Sequence, residues 1–272
     1  MKRFYLIILI SCIFLFSPFN HALAKAAPDE GPSLNKILEG CAEYCERLRH
    51  TSFYFVCREE IKETIYRPWF QSEMNKYVYD YQLVRKQGNI KEKRILLSEN
   101  GHKKSRNQQS LGTKRFTYDH VVFGPIGMVS RVSQTKYYYE VIKKRKFQGE
   151  KVTVVRALPI NKDQVEHLWG DIWIRNKDLR IVKIEWNQHS IENYDRIKER
   201  ADHYGYNPLI VLISEYGYEH KDIQFPSQFV LKEIYINKRN GRRFIQSEIK
   251  VDYKDYRFFV VKTEIEYNRK HQ

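Results

Sequence analysis

The chain has 272 residues, 42% hydrophobic and 14% aromatic, which is enough for a substantial core and too apolar for intrinsic disorder. Four cysteines are too few for a disulfide-built scaffold, and the only long apolar run is N-terminal, which argues against a polytopic membrane protein. With 48 Lys and Arg against 33 Asp and Glu the formal charge is +15, a balance suited to an anionic partner, while 20 Tyr and 15 Phe point first to sheet-building.

Residues 1–24 read as a secretory signal: Lys2 and Arg3, an apolar stretch from Phe4 to Phe16, then Ala22-Leu23-Ala24 as a cleavage site. The mature chain is expected to begin at Lys25, in the periplasm or secreted. Cleavage removes two basic and no acidic residues, leaving 46 against 33, or +13, so the bias belongs to the folded part. A rival reading takes Leu9-Ile10-Ser11-Cys12 as a lipobox and anchors the chain by acyl groups on Cys12. Against it, the apolar run continues from Ile13 to Phe16, where a polar tether is expected.

Residues 25–32 form a short leader. Ser33 can cap a helix carrying Leu34, Ile37, Leu38, Cys41, Cys45 and Leu48 on one face. From Phe53 the period changes to two, giving a strand to about Tyr66 that Pro68 stops. A Tyr-rich strand from Lys76 to Lys86 turns at Gln87-Gly88-Asn89 into another from Ile90 to Ser98. Residues 100–113 are polar, basic and aromatic-free, which suggests an excursion. His120 to Val132, with Gly124, Pro125 and Gly127, reads as a short apolar helix or flap.

Strands resume at Tyr137 to Lys146 and Lys151 to Leu158, then Leu168 to Arg175 and Arg180 to Trp186, two further hairpins. Ser190 can cap a helix with Ile191, Tyr194, Ile197, Ala201 and Tyr204 on one stripe, ended by Gly205 and Pro208. Strands at Leu209–Tyr218, Phe225–Asn237, Phe244–Tyr253 and Tyr256–Tyr267 complete the pattern. The count is about eleven antiparallel strands in meander order, in one domain from 33 to 268 with a tail at 269–272. A sheet so wide accumulates twist, so the expected fold is mainly β with a few helices: a strongly curled, unclosed β-barrel with the helices in its concave face.

Cys41, Cys45 and Cys57 remain in the mature chain. If helix and strand fold back near His50, Cys57 lies roughly 20 Å from the corner at about 3.3 Å per residue. On the helix, Cys41 lies roughly 13 Å from it and Cys45 roughly 7 Å, at about 1.5 Å per residue. A Cys41–Cys57 disulfide is therefore the favoured pairing, and three small buried hydrophobes are the alternative. The C-x3-C-x11-C spacing lacks a fourth ligand, so no metal site is expected, and no cofactor.

The hairpin Gly170-Asp171-Ile172-Trp173-Ile174 with Asp178-Leu179-Arg180-Ile181-Val182-Lys183-Ile184-Glu185, and the later Ile223-Gln224-Phe225-Pro226-Ser227-Gln228-Phe229, follow a signal peptide and a helix leading into a long first strand. In this order and these phrases the chain resembles the periplasmic lipoprotein-carrier and outer-membrane lipoprotein-sorting (LolA/LolB-like) superfamily, over most of its mature length. The resemblance implies an unclosed barrel that binds lipoprotein acyl chains. The cysteine trio and the basic segment at 100–113 depart from it.

No G-x-S-x-G, H-E-x-x-H, P-loop or dinucleotide fingerprint is present, so the chain reads as a non-enzyme. A hydrolase would need a pocketed Ser or Cys beside a His; His120, His167, His189 and His203 only flank expected elements. Asp171 and Glu185 can face each other on neighbouring strands, with Lys183 and Arg175 as their expected partners. A hollow lined by Trp69, Phe70, Trp169, Trp173 and Trp186 would shelter acyl chains at about 0.8 kcal/mol per buried methylene. These aromatics are equally ordinary core residues. Lys143, Lys144, Arg145 and Lys146 form a basic rim able to meet lipid phosphates or an anionic membrane surface, or simply a solvated face; Lys103-Lys104 with Arg106 and Lys238-Arg239 with Arg242-Arg243 are similar clusters. Nucleic acid suits the charge but not an exported chain. The leading expectation is a periplasmic binding protein for a lipid or lipoprotein acyl chains; the alternative is a protein-interaction or envelope-sensing module whose hollow is filled by its own helices.

Overall fold

The computed structural model describes residues 31–51, 55–67, 71–86, 89–104, 113–116, 124–162 and 168–259. The signal segment, Cys12, Trp69, Phe70, Arg106, His120, His167 and the last expected strand beyond 259 lie outside the described residues. All described residues belong to one unit, within 31–272.

Helix α1 (Leu34–Thr51) forms where Ile37, Cys41, Tyr44, Cys45 and Leu48 recur at helical spacing; each is at most 1% exposed. Four strands follow: β1 (Phe55–Ile65), β2 (Glu73–Lys86), β3 (Asn89–Glu99) and the two-residue β4 (His102–Lys103). Asn100 and Gly101, both at positive φ, make the tight turn between β3 and β4. That Asn-Gly turn opens the segment that the sequence suggested was a plain excursion. Helix α2 (Gly124–Val129) then leads into β5 (Tyr137–Phe147) and β6 (Glu150–Pro159), joined through Gln148 and Gly149, again both at positive φ.

Strands β7 (Gly170–Arg175) and β8 (Ile181–Trp186) make the next hairpin. Helix α3 spans Tyr194–His203 and packs on β9 (Tyr206–Glu215). It starts three residues later than a Ser190 cap suggests, because 188–190 form a 3-10 turn and Asn193 adopts a left-handed conformation before the helix. Two three-residue strands, β10 (Tyr218–His220) and β11 (Ile223–Phe225), pair as a separate hairpin, followed by β12 (Gln228–Asn237) and β13 (Arg243–Phe258).

The main sheet is antiparallel throughout, in the order β4-β3-β2-β1-β13-β12-β9-β8-β7-β6-β5, and it does not close. The chain walks outward from β1 to one edge at β4, crosses to the other edge at β5, and walks back until β13 pairs with β1. Meander order therefore holds within each run, and the join between the first and last strands is a long-range pairing. The strand count comes out at eleven, though not by the expected segments. Residues 244–253 and 256–258 are one strand, not two: Asp255, at φ 52°, sits in a bulge opposite Cys57 and carries β13 past the expected break. The eleventh place is taken by β4.

Within each strand, alternate side chains enter one continuous core that also contains the buried face of α1. We call this the inner face. Close approach is built in at two glycines. A Cβ at Gly40 of α1 would come within 2.5 Å of the Leu179 side chain, and one at Gly124 of α2 within 2.6 Å of the Trp186 ring. Leu179 itself is held at φ 56° in the β7–β8 turn, a conformation unfavourable for a branched residue that its contact with α1 helps to maintain. Among the described residues no helix is long and apolar enough to cross a membrane.

Candidate ligand-binding face

The inner face has two unlike halves. Over β5 to β9 it is apolar: Val155, Ala157, Ile172, Ile174, Ile184 and Leu212 are at most 5% exposed, under α1 and α2. Polar contacts pin the helices there. Tyr139 donates to the Met128 carbonyl, and the Gln134 amide donates to the carbonyls of Leu38 (2.7 Å) and Val129 (2.9 Å), tying α1, α2 and β5 together. Trp186 lies beneath Gly124 and donates its Nε1–H to Ser214 Oγ at 2.8 Å.

Over β1, β2, β3, β12 and β13 the inner face carries charge. The β1 row Phe55, Cys57, Glu59, Ile61, Glu63 and Ile65 places two carboxylates in an otherwise apolar line, both fully buried. Glu59 accepts from Arg94 Nε at 2.7 Å, from Arg94 Nη2 at 3.2 Å and from Tyr253 at 3.1 Å. Arg94 also meets Glu92 at 2.7 Å, and Tyr81 donates to Glu92 at 2.9 Å. Burial pushes the Glu59 carboxyl up from its ordinary value, opposed by the Arg94 charge. Burial alone would lower the Arg94 guanidinium, but Glu59 and Glu92 overcome it and the net direction is upward.

Glu63 is held differently. One carboxylate oxygen accepts the backbone N–H groups of Lys114 (2.8 Å) and Arg115 (3.1 Å), while the other is buried without a partner. The Arg115 side chain forks onto Glu233 at 2.7 Å and 3.1 Å, and Glu233 also accepts from Ser247 (2.9 Å) and Tyr235 (2.7 Å). Residues 113–116 thus cross the polar half as a strap fastened by carboxylates from β1 and β12. These glutamates were not singled out from the sequence, although Glu59 and Glu63 fall in register with Phe55, Cys57 and Ile61 and carried that signal.

The hairpin β10–β11 gathers an aromatic group at one end of the sheet: His220 stacks on Phe258 at 3.7 Å, Tyr218 on Tyr256 at 4.3 Å, and Phe225 lies edge-on to Phe55 at 5.4 Å. Burial lowers the His220 pKa from its ordinary value, with the nearby Lys221 charge adding to it. Arg180 clamps this hairpin, reaching Glu219 at 2.6 Å and Asp222 at 2.7 Å.

The residues named from the sequence separate. Trp169 and Trp186 join the main core. Trp173 does not line the hollow: Ile172 and Ile174 point inward, so alternation sends Trp173 to the opposite, outer face, where it packs with Val152 and Val154. Of the basic rim, Lys143 and Arg145 join it there, while Lys144 and Lys146 alternate to the other side. Asp171 and Glu185 are paired across β7 and β8, and Glu185 meets Lys183 at 2.8 Å as expected, but Asp171 is answered by Arg156 at 2.8 Å and Arg175 by Asp178 at 2.6 Å. Cys41, Cys45 and Cys57 are buried free thiols, so the Cys41–Cys57 disulfide is not formed here. Burial pushes Cys41 up to about 12 and raises Cys45 and Cys57 as well.

No family model matches the chain, and no curated protein matches it. The solved structures similar in fold include the following three. A LolA superfamily protein from Nitrosomonas europaea shares 13% identity, with 83% of this chain and 94% of that one covered and a TM-score of 0.36. A putative outer membrane lipoprotein-sorting protein domain from Vibrio parahaemolyticus shares 14%, covering 85% and 96%, at 0.39. A DUF1329 family protein from Desulfovibrio piger shares 10%, covering 83% and 95%, at 0.41.

Proposed function

We propose that this chain is an exported, periplasmic binding protein that holds a lipid, or the acyl chains of a lipoprotein, against the inner face of its curled sheet. The observation that carries the reading is the division of that face: an apolar half under two helices beside a half bearing buried carboxylates and arginines. An amphiphile has the same division. Its tails gain about 0.8 kcal/mol per methylene against the apolar rows, and its polar end meets groups that are already desolvated.

The open seam between β4 and β5 supports the reading, since an unclosed sheet can admit a chain-like ligand from the side. Binding is also favoured over thiol chemistry, because the raised pKa values keep Cys41, Cys45 and Cys57 protonated near neutrality. Export rests on the residues 1–24 signal pattern.

Native mass spectrometry of protein purified without detergent tests the proposal. Co-purifying lipid, or uptake of added lipopeptide in a stoichiometric complex, is expected; protein that stays empty in the presence of both overturns it. One observation favours the second reading, an interaction module with a self-filled hollow: six α1 side chains are buried at no more than 1% exposure. In that case the protein remains lipid-free and is recovered in a stable complex with another protein.

A further inference from the structure

Strand register builds an unusual cluster on the outer face. Lys143 lies beside Val154, Val154 beside Trp173, and Trp173 beside Lys183, so one row crosses four strands. Three cations converge on a single indole: Lys183 Nζ is 4.4 Å from the ring centre, Arg145 Cζ 5.0 Å and Lys143 Nζ 5.1 Å. Phe147 closes one side edge-on at 5.5 Å, leaving Trp173 only 4% exposed. The buried Trp173 Nε1–H donates to no acceptor.

Charge balance is what makes this cluster a site. Several basic side chains elsewhere on the strands, Arg156, Arg175 and Lys232 among them, are answered by carboxylates within 3 Å. Of the cluster only Lys183 is, by Glu185. Lys143, Lys144, Arg145 and Lys146 have no ion-pair partner among the described residues, and the nearby Glu150 is taken by Lys177 at 2.6 Å. Lysines on an edge strand discourage pairing with another sheet, but that role needs no indole beneath them and no third cation from β8.

We infer that this end of the β5–β6 hairpin is a docking site for the phosphate groups of an anionic phospholipid surface. Lys143 and Arg145, which no carboxylate answers among the described residues, grip headgroup phosphate on the outer face, and the Trp173 ring with the Lys183–Glu185 pair beside it fixes where those cations sit. Lys144 and Lys146, on the other side of the same strand, extend the positive charge around the hairpin end. A planar surface touching that end meets cations from both sides, which suits a bilayer better than an isolated anion. The choice of a lipid source rests on the binding function proposed above. The site itself lies on the opposite face from the hollow.

Vesicle sedimentation with the full mature chain tests the inference. Wild-type protein is expected to bind vesicles of phosphatidylglycerol and phosphatidylcholine, to ignore phosphatidylcholine alone, and to be released by high salt. The K143Q/R145Q double variant should bind about 25-fold more weakly, about fivefold per charge, with unchanged circular dichroism and melting temperature. W173F, which keeps the charges and a ring, should fold normally and lose the fluorescence change on vesicle addition while the other tryptophans remain. Equal binding by wild type and double variant overturns the proposal, as does wild-type protein that binds neither vesicle or both alike. Inorganic phosphate that saturates the cluster and abolishes vesicle binding at constant ionic strength makes it a free-phosphate site, and binding of poly-glutamate but not vesicles assigns it to an acidic protein; either overturns the lipid surface. Vesicle binding by protein that mass spectrometry finds empty would leave the docking site standing and the lipid-holding reading refuted.

Discussion

The two halves of the inner face are buried to the same degree by different means. Over β5 to β9, Ile172, Ile184, Leu212 and Trp186 are covered by helices whose contacts are mostly non-directional. Over β1 to β3 and β12, Glu59, Glu63 and Glu233 are covered by partners that must sit at defined distances and angles, namely Arg94, Arg115 and two backbone N–H groups. Apolar packing tolerates rearrangement at modest cost, whereas a buried charge that loses its partner keeps the full desolvation penalty. The apolar half is thus the part able to exchange its cover for a ligand, and the polar half is the part that fixes the shape of the sheet.

Removing Arg94 should break this contrast most severely. R94M leaves Glu59 buried without its main counter-charge and is expected to cost about 4 kcal/mol in urea unfolding, with an unchanged m-value. R94M combined with E59L should recover part of the loss, because that pair of charges then goes together while Glu92 loses Arg94 and keeps its hydrogen bond from Tyr81. L48A on α1 should cost about 3 kcal/mol, from lost burial and the cavity left behind. If the apolar half exchanges its cover for lipid, L48A should also take up lipopeptide more readily than wild type, which isothermal titration would read.

A smaller effect is expected at the strap. R115A removes a half-exposed guanidinium, but Glu233 keeps Ser247 and Tyr235, so about 1–2 kcal/mol is expected in the same unfolding assay. The smallest concerns pH. A hydrogen bond from Lys114, supported by Asn75, holds the Glu73 carboxyl down at about 2 against an ordinary value of 4.5. Its folded pKa is depressed, so its contribution is complete above the ordinary carboxylate range and is lost as pH falls from 4.5 toward 2. E73Q should flatten that acid limb in melting temperature against pH. Glu59 has the opposite sign: its pKa is raised by burial, so its share of stability is greatest when protonated and declines as pH rises through the carboxylate range.

How legible each part was depends on the range of the interaction that decides it. The apolar face of α1, the β2–β3, β5–β6 and β7–β8 hairpins and the width of the sheet follow from periodicity and turn residues within a few positions of one another. The β10–β11 hairpin was missed because its strands are three residues long and continue neighbouring runs that read as single strands. The carboxylate row was half legible: Glu59 and Glu63 stand in the inward positions of β1, but their partners Arg94 and Arg115 lie 35 and 52 residues further on.

Local spacing was sufficient for a wide antiparallel sheet with an amphipathic helix ahead of it, because alternation and helical periodicity depend only on neighbours in the chain. The pairing of β1 with β13, the bulge at Asp255 that keeps β13 whole, and the outward turn of Trp173 toward Lys143, Arg145 and Lys183 were settled only on folding. Alternation separates two sets of side chains without naming the inner one. That choice is made when the sheet curls around α1 and one set is withdrawn from water.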